Sequence, residues 1–348
     1  MDNLDVLRHH EQMIIRLRAL YKQFGYTQYE TSRFEEYELY ARNKAFLPSD
    51  EIITFAGAGG KLMALRPDVT LSIVKNATDG MAYKLFYNEN VYRPALFGNV
   101  LKERMQAGVE CIGEIDLYST AEVIVLAQRS LDILGGRCSL DISHMGFISG
   151  LFDSADLLPA QQDQLLRSLG KKNAPEIAAL CAEFGLSQAF RDKITSLVKL
   201  YGPLDDEKLG ALKSIAVGVK CEDALAELTA LSAILKEFGV LVHLDFSIVN
   251  DLSYYSGIIF QGYIEGMPAK VLSGGRYDKL LQKFGKKSGA IGFAVYLDLL
   301  THEVTSEETD VTLPYDEDDD PRELAQKVNT LINAGKSVRV CREASAHD

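Results

Sequence analysis

Three stretches of the chain gather residues able to hold a small polar molecule. Arg66-Pro67-Asp68-Val69-Thr70 sets a guanidinium, a carboxylate and a hydroxyl close together, Tyr92-Arg93-Pro94 adds a second guanidinium, and Gln106-Ala-Gly-Val-Glu110-Cys-Ile-Gly113 carries an amide and a carboxylate. Glu110 interrupts an otherwise apolar run. Such a residue suits a solvated face poorly, and a buried carboxylate needs partners, so a ligand role is preferred over a structural one. Arg93 reads equally as a ligand clamp or a structural clamp. Tyr254 and Tyr255 alternate across a strand, so at most one of them faces a given pocket directly. Arg276, in Ser273-Gly-Gly-Arg-Tyr-Asp278, reads as bracing a turn, and His144 and His243 as ordinary packed or edge histidines. Ala56-Gly57-Ala58-Gly59-Gly60-Lys61 is not a phosphate loop: Phe55 stands where the first glycine belongs and Leu62 where Ser or Thr belongs.

The elements that must position these residues follow from periodicity. Leu7, Met13, Ile14, Leu17, Leu20 and Tyr21 mark one face of a helix over 4–24 that closes at Gly25. Residues 51–55 and 62–65 flank the glycine-rich segment as a hairpin requiring positive φ. Further strands are expected at 84–92 and 106–113, with a polar connection between them. Ser119-Thr-Ala-Glu122 predicts a capping box for a helix that ends at Gly135-Gly136. Residues 145–238 are almost wholly helical in pattern and read as an insertion. Alternation over 241–249 predicts a strand, 258–264 and 270–273 continue the sheet, and 289–300 reads as a strand or turn feeding a buried helix. Residues 311–313, 321–333 and 337–341 form one strand-helix-strand unit. Hairpins and helices alternate without an even βαβα rhythm, so the fold class is α+β with a mixed, mostly antiparallel sheet flanked by helices.

Composition excludes several classes. The 348 residues are 47% hydrophobic and 25% charged, which rules out disorder, collagen and coiled-coil arrays. No long apolar run or signal-like N-terminus occurs, so a cytoplasmic protein without membrane contact is expected. Five scattered cysteines, never paired as C-x-x-C, suggest neither disulfides nor a zinc site and read as reduced core thiols. The net charge of −12 argues against a nucleic-acid partner, although nine acids lie within residues 303–320 and the remainder carries only −3.

Taken in order, these motifs resemble histidyl-tRNA synthetase. Its Arg-Pro-Glu-Gly-Thr segment, Tyr-Arg strand end and Gln-x-x-x-Glu strand are similar to the three stretches above. Ile248-Val-Asn-Asp-Leu-Ser-Tyr-Tyr255-Ser-Gly257 is similar to its histidine-specific Leu-Val-Arg-Gly-Leu-Asp-Tyr-Tyr segment, and Ser273–Asp278 and Ala290–Leu299 to its last two motifs. The resemblance covers residues 10–135 and 239–301. It implies a class II aminoacyl-tRNA synthetase-like core over 1–302, with the insertion at about 145–238, followed over 303–348 by an acidic linker and the strand-helix-strand unit. That tail is shorter than an anticodon-binding domain of on the order of 90 residues.

The departures shape the functional expectation. Adenylation brings anions together, which the family counters with arginine clamps. Arg93 keeps one clamp. Asn250 and Leu299 stand where two others are expected, Ser253 replaces an aspartate, the segment 96–104 departs from the family's flexible-loop pattern, and Ser32 replaces a proline of the dimer-forming motif. Each lost clamp would cost roughly a hundredfold to a thousandfold in rate. What the resemblance leaves is an amino-acid pocket: Asp68 and Thr70 facing the α-amino group, Gln106 and Arg93 the carboxylate side, and Glu110 with Tyr254 and Tyr255 completing it. The combination resembles the regulatory subunits of ATP phosphoribosyltransferase, paralogues of the synthetase. That resemblance implies no catalytic residue, no cofactor and no metal. It implies L-histidine as feedback effector, a self-dimer, and a catalytic ATP phosphoribosyltransferase subunit as partner. An active histidyl-tRNA synthetase or an amino-acid ligase with unusual motifs remains the alternative.

Overall fold

The computed structural model describes residues 7–43, 52–94, 101–249, 255–300, 309–316 and 319–342. The expected site residue Tyr254, the substitutions Asn250 and Ser253, positions 96–100 and the acidic residues of 303–308 and 317–318 lie outside the described residues.

In chain order the first elements are α1 (His9–Gln23), β1 (Thr27–Gln28), β2 (Phe34–Glu36), α2 (Tyr37–Ala41), β3 (Thr54–Ala56), β4 (Leu62–Leu65) and α3 (Thr70–Asn76). Next come β5 (Tyr83–Pro94), β6 (Leu101–Gly113), α4 (Leu117–Leu134), β7 (Cys138–His144), α5 (Met145–Asp153), α6 (Pro159–Gly170), α7 (Ala174–Glu183) and α8 (Gln188–Lys199). The series continues with β8 (Tyr201–Pro203), α9 (Asp206–Ile215), α10 (Gly218–Glu237), β9 (His243–Asp245), β10 (Ile258–Ile264), β11 (Leu272–Arg276), α11 (Asp278–Lys283) and β12 (Gly289–Tyr296). Last are β13 (Val311–Tyr315), α12 (Pro321–Asn333) and β14 (Val338–Arg342). Two compact units divide the chain, one of residues Met13–Leu299 and one of Leu300–Asp348 with Met1–Gln12.

The larger unit is built on a nine-stranded sheet in the order β1-β5-β6-β12-β11-β10-β7-β9-β8. Only β1 with β5 and β7 with β9 run parallel. The mixed, mostly antiparallel sheet flanked by helices is therefore present. Its long central hairpin joins β5 and β6 over twelve paired positions, from Tyr83 opposite Ile112 to Pro94 opposite Leu101. One face is dry and aromatic: Tyr21 of α1 meets Phe86 at 5.8 Å and Phe293 at 6.2 Å, and Phe260 meets Phe293 at 6.3 Å. Helix α1 reaches this layer through its buried stripe Met13, Leu17, Leu20 and Tyr21. A smaller sheet, β2-β4-β3, holds the expected glycine hairpin, whose turn uses Gly59 at φ +71° and Gly60 at φ +77°.

Helices α5–α10 fill the expected insertion, interrupted by the three residues of β8, which pair with β9 at the edge of the main sheet. Other local expectations need correction. The cap of α4 is Asp116, whose carboxylate accepts the Ser119 N–H at 2.7 Å. Glu122 is instead buried and bonded to Lys84 and Tyr26, so Ser119–Glu122 is no capping box. The strand expected over 241–249 shrinks to His243–Asp245, because Asp245 turns the chain by accepting the Ser247 N–H at 2.8 Å. After β12 comes a single 3₁₀ turn, Leu297–Leu300, in place of a buried helix. Cys111, Cys181 and Cys221 are buried free thiols, but Cys138 is partly exposed and Cys341 lies on the surface of β14, so not all five belong to a core.

In the smaller unit β13 and β14 pair in parallel from Val311 opposite Val338 to Tyr315 opposite Arg342, with α12 as the connection. Among the described residues no helix is long and apolar enough to cross a membrane.

Candidate functional site

The face of the sheet opposite the aromatic layer is paved with small residues and rimmed by polar ones. Strand alternation puts Gln106, Gly108 and Glu110 of β6 on it. Gln106 pairs with Glu89 and Tyr296, Gly108 with Tyr87 and Ala294, and Glu110 with Leu85 and Gly292. The glycines are required by close approach: a Cβ at Gly292 would overlap the Glu110 carboxylate, and one at Gly108 would stand 2.6 Å from the Tyr87 hydroxyl.

Glu110 is 2% exposed. Its Oε1 accepts the Thr70 hydroxyl at 2.7 Å and its Oε2 accepts the Tyr277 hydroxyl. Among the described residues no lysine or arginine pairs with it. Burial, aided by the neighbouring Asp68 charge, outweighs the two hydroxyl donors and pushes its pKa up to about 8. Thr70 is held in place by the start of α3, where Asp68 Oδ1 accepts the Leu71 N–H at 2.9 Å. Burial raises the Asp68 pKa as well, with the Arg93 guanidinium pulling in the other direction. Arg93 donates from Nε to the Pro67 carbonyl at 2.8 Å, so it braces the turn carrying Asp68 while lending its charge to the site. Three tyrosines share the surroundings of these carboxylates. Burial raises the pKa of each of Tyr87, Tyr255 and Tyr296, and the Asp68 charge bears on all three.

Of the residues expected from the sequence, Asp68, Thr70, Arg93, Glu110 and Tyr255 are thus brought together, and Gln106 shares their sheet face and is buried. Arg66 is a framework residue. Fully buried, it donates to the Thr31 and Ser32 carbonyls at 3.0 Å each, and to Glu89 and the Asn90 carbonyl at 2.7 Å each. Arg276 braces its turn, with Nε on Asp278 at 2.8 Å. Sequence reasoning misses Tyr277, Tyr87 and Tyr296. Tyr277 and Tyr296 lie inside motifs that read as turn and strand, and Tyr87 is findable only through its pairing with Gly108, a long-range fact. The arrangement offers acceptors and one guanidinium to a ligand that carries N–H groups, one of them cationic, together with a carboxylate.

Known proteins share both this sequence pattern and this fold. Residues 4–300 match the family profile described as Histidyl-tRNA synthetase. An ATP phosphoribosyltransferase regulatory subunit from Symbiobacterium thermophilum is 32% identical over 297 residues, which cover 82% of this chain and 73% of that protein. A solved structure described as an ATP phosphoribosyltransferase regulatory subunit/histidyl-tRNA synthetase from Bacillus halodurans matches with a TM-score of 0.78 at 27% identity, covering 98% of this chain and 90% of the other. A chain of an ATP phosphoribosyl transferase complex from Thermotoga maritima shares the fold at a TM-score of 0.65 and 18% identity, covering 83% of this chain and 97% of the other.

Proposed function

Since this chain belongs to the histidyl-tRNA synthetase family, and within it to the group named ATP phosphoribosyltransferase regulatory subunits, we propose that it binds free histidine at the Glu110 pocket and works as the histidine-responsive, non-catalytic subunit of an ATP phosphoribosyltransferase. The observation that carries this reading is Glu110 itself: a buried carboxylate facing two hydroxyl donors and, among the described residues, no cation. Histidine supplies what is missing, with imidazole N–H for Glu110, an ammonium for Asp68 and Thr70, and a carboxylate for Arg93 and Gln106. Tyr255 completes the proposed wall; Tyr254, which the resemblance adds to the pocket, lies outside the described residues. Leu299, and Asn250 likewise outside the described residues, occupy positions where the resemblance expects arginines. Their loss favours ligand sensing over adenylation, because an uncompensated phosphate-carboxylate encounter is slow. The proposed assembly is a self-dimer joined to a catalytic phosphoribosyltransferase subunit. Histidine inhibits there by binding the less active arrangement of the complex more tightly.

The test mixes the purified chain with the catalytic subunit and follows phosphoribosyl transfer to ATP with and without histidine. Activation by this chain, histidine inhibition of the mixture, and one calorimetric histidine site per chain are expected. Histidine-dependent ATP-pyrophosphate exchange above a buffer control would instead establish the synthetase or ligase reading.

A further inference from the structure

Five helices close through the same pair of backbone bonds around a glycine: Gly25, Gly185, Gly239, Gly285 and Gly335 end α1, α7, α10, α11 and α12, all at positive φ. At the end of α6 the same bonds run from the Lys172 N–H to the Leu169 carbonyl at 2.9 Å and from the Asn173 N–H to the Ser168 carbonyl at 3.0 Å. Here a lysine takes the left-handed position, at φ +53°. Glycine adopts that conformation readily, whereas any residue with a Cβ is disfavoured in it. A residue retained against its backbone preference points to a task for its side chain.

The Lys172 ammonium lies 2.8 Å from Oδ2 of Asp245, the last residue of β9, and 4.9 Å from the centre of the Tyr201 ring. Tyr201, on the neighbouring β8, stacks in turn on His243 at 5.9 Å and 12°. Asp245 is 6% exposed, and Lys172 is the one cation bonded to it among the described residues. Its Oδ1 accepts the Ser247 N–H at 2.8 Å, and its carbonyl accepts the Ile248 N–H at 3.2 Å. Two residues before Lys172, Gly170 faces the same stretch: a Cβ there would stand 2.9 Å from Val249 Cγ2. The end of α6 therefore grips residues 245–249 at two points. These residues lead into Ile248–Gly257, the segment similar to a histidine-specific motif. At its far end the Ser256 N–H donates to the Arg276 carbonyl at 3.0 Å, and the Tyr255 ring covers Gly275, where a Cβ would come within 2.8 Å of Cε1.

We infer that Lys172 is a positioning residue for the pocket: from the helical insertion, its ammonium fixes the Asp245 turn and so sets the entry of the segment that carries Tyr255 into the ligand wall. The inference rests on the pocket proposed above. Glycine at position 172 would ease the helix end and leave Asp245 without its cation. The chain has the opposite arrangement, with the strain at the helix end and the buried carboxylate paired. The lysine side chain is 48% exposed, so the ion pair adds little stability by itself. Its effect is on direction: with Oδ2 held by the ammonium, Oδ1 is aimed at the Ser247 N–H that closes the turn.

Three variants of the full chain separate positioning from packing. K172M keeps a left-handed residue with a long side chain but loses the charge, K172G loses the charge and relieves the helix end, and K172R keeps the charge. Without ligand, amide hydrogen exchange at Ser247, Ile248 and Ser256 should quicken about threefold or more in K172M and K172G and stay parent-like in K172R. Histidine affinity by calorimetry should fall about threefold to fivefold in K172M and K172G alike, and K172R should bind within about twofold of the parent. K172G should nevertheless be the more stable of the two uncharged variants in denaturant unfolding. A packing role would instead make affinity follow stability. Parent-like exchange at Ser256 in K172M and K172G, or parent-like affinity in both, overturns the positioning role. Should either fail to fold, D245N, which keeps an oxygen for the Ser247 N–H, repeats the test from the other side of the pair. Absence of any histidine binding by the parent chain overturns the histidine reading alone, and ligand-free exchange at Ser247, Ile248 and Ser256 then still decides whether Lys172 sets the segment.

Discussion

Two buried glutamates lie close to each other in the fold and have opposite surroundings. Glu122 projects from α4 toward the hairpin and is met by the Lys84 ammonium at 2.6 Å and the Tyr26 hydroxyl at 3.2 Å. Glu110, on the other side of β6, meets the Thr70 and Tyr277 hydroxyls and, among the described residues, no cation. Both are nearly inaccessible, at 4% and 2% exposure. Burial therefore does not separate a framework carboxylate from a binding one. The missing countercharge does, because a buried anion without a cation must take up a proton or wait for a ligand.

The sharpest way to break this comparison is Glu110→Ala. Removing a charged acceptor from a buried N–H costs about 1.5 to 3 kcal/mol, or roughly tenfold to a hundredfold in affinity. Histidine heats in a calorimeter should disappear at concentrations that saturate the parent chain, while activation of the catalytic subunit persists. Parent-like binding would remove Glu110 from the site. Glu122 should behave in the reverse sense. Lys84→Met leaves its carboxylate buried and unpaired and should cost about 1 to 3 kcal/mol of stability in denaturant unfolding, a figure held down because the lysine side chain is 40% exposed. Adding Glu122→Gln to Lys84→Met should recover most of that loss with no effect on histidine. A double variant as unstable as the single would mean that the lysine acts through packing alone.

Much of this contrast is legible in the amino-acid sequence. The glycine hairpin, the β5–β6 strands, β10 and the helical insertion follow from period and turn residues. Asp68, Thr70, Arg93, Gln106, Glu110 and Tyr255 each stand out through the resemblance of their motifs to the synthetase family, Glu110 also through its place in an apolar run, and the structure places them on or beside one sheet face. What fails is local signal overridden by long-range contact. Ser119–Glu122 has the spacing of a capping box, yet Glu122 is drawn inward by Lys84, thirty-eight residues earlier, and Asp116 takes the cap. Alternation over 241–249 carries no trace of the Lys172 ammonium, which holds Asp245 at 2.8 Å and helps convert strand into turn. Tyr277 gives no signal of its own because its partner, Glu110, is 167 residues away, a distance at which no periodicity speaks.

The smallest effect sharpens the comparison most directly, through protons. Glu110 has a folded pKa of about 8 against an ordinary 4.5. The ligand-free fold thus holds a proton there that the unfolded chain has already released. Stability from this group is fully present below about pH 4.5 and is lost as pH rises through about 8. Glu110→Gln should flatten that part of the pH–stability curve, whereas Glu122→Gln should leave it in place. The ligand reverses the preference. The ionised carboxylate accepts an imidazole N–H far more strongly than the protonated acid does, so histidine binding favours loss of the proton below pH 8. Affinity should then rise by up to about fivefold between pH 7 and 8. Calorimetry in two buffers of different ionisation enthalpy should register about one proton released per histidine bound near pH 7. Binding that is flat across this window, with no proton released, would mean that Glu110 keeps its proton and acts as a donor, and its contrast with Glu122 would then be one of hydrogen-bond direction.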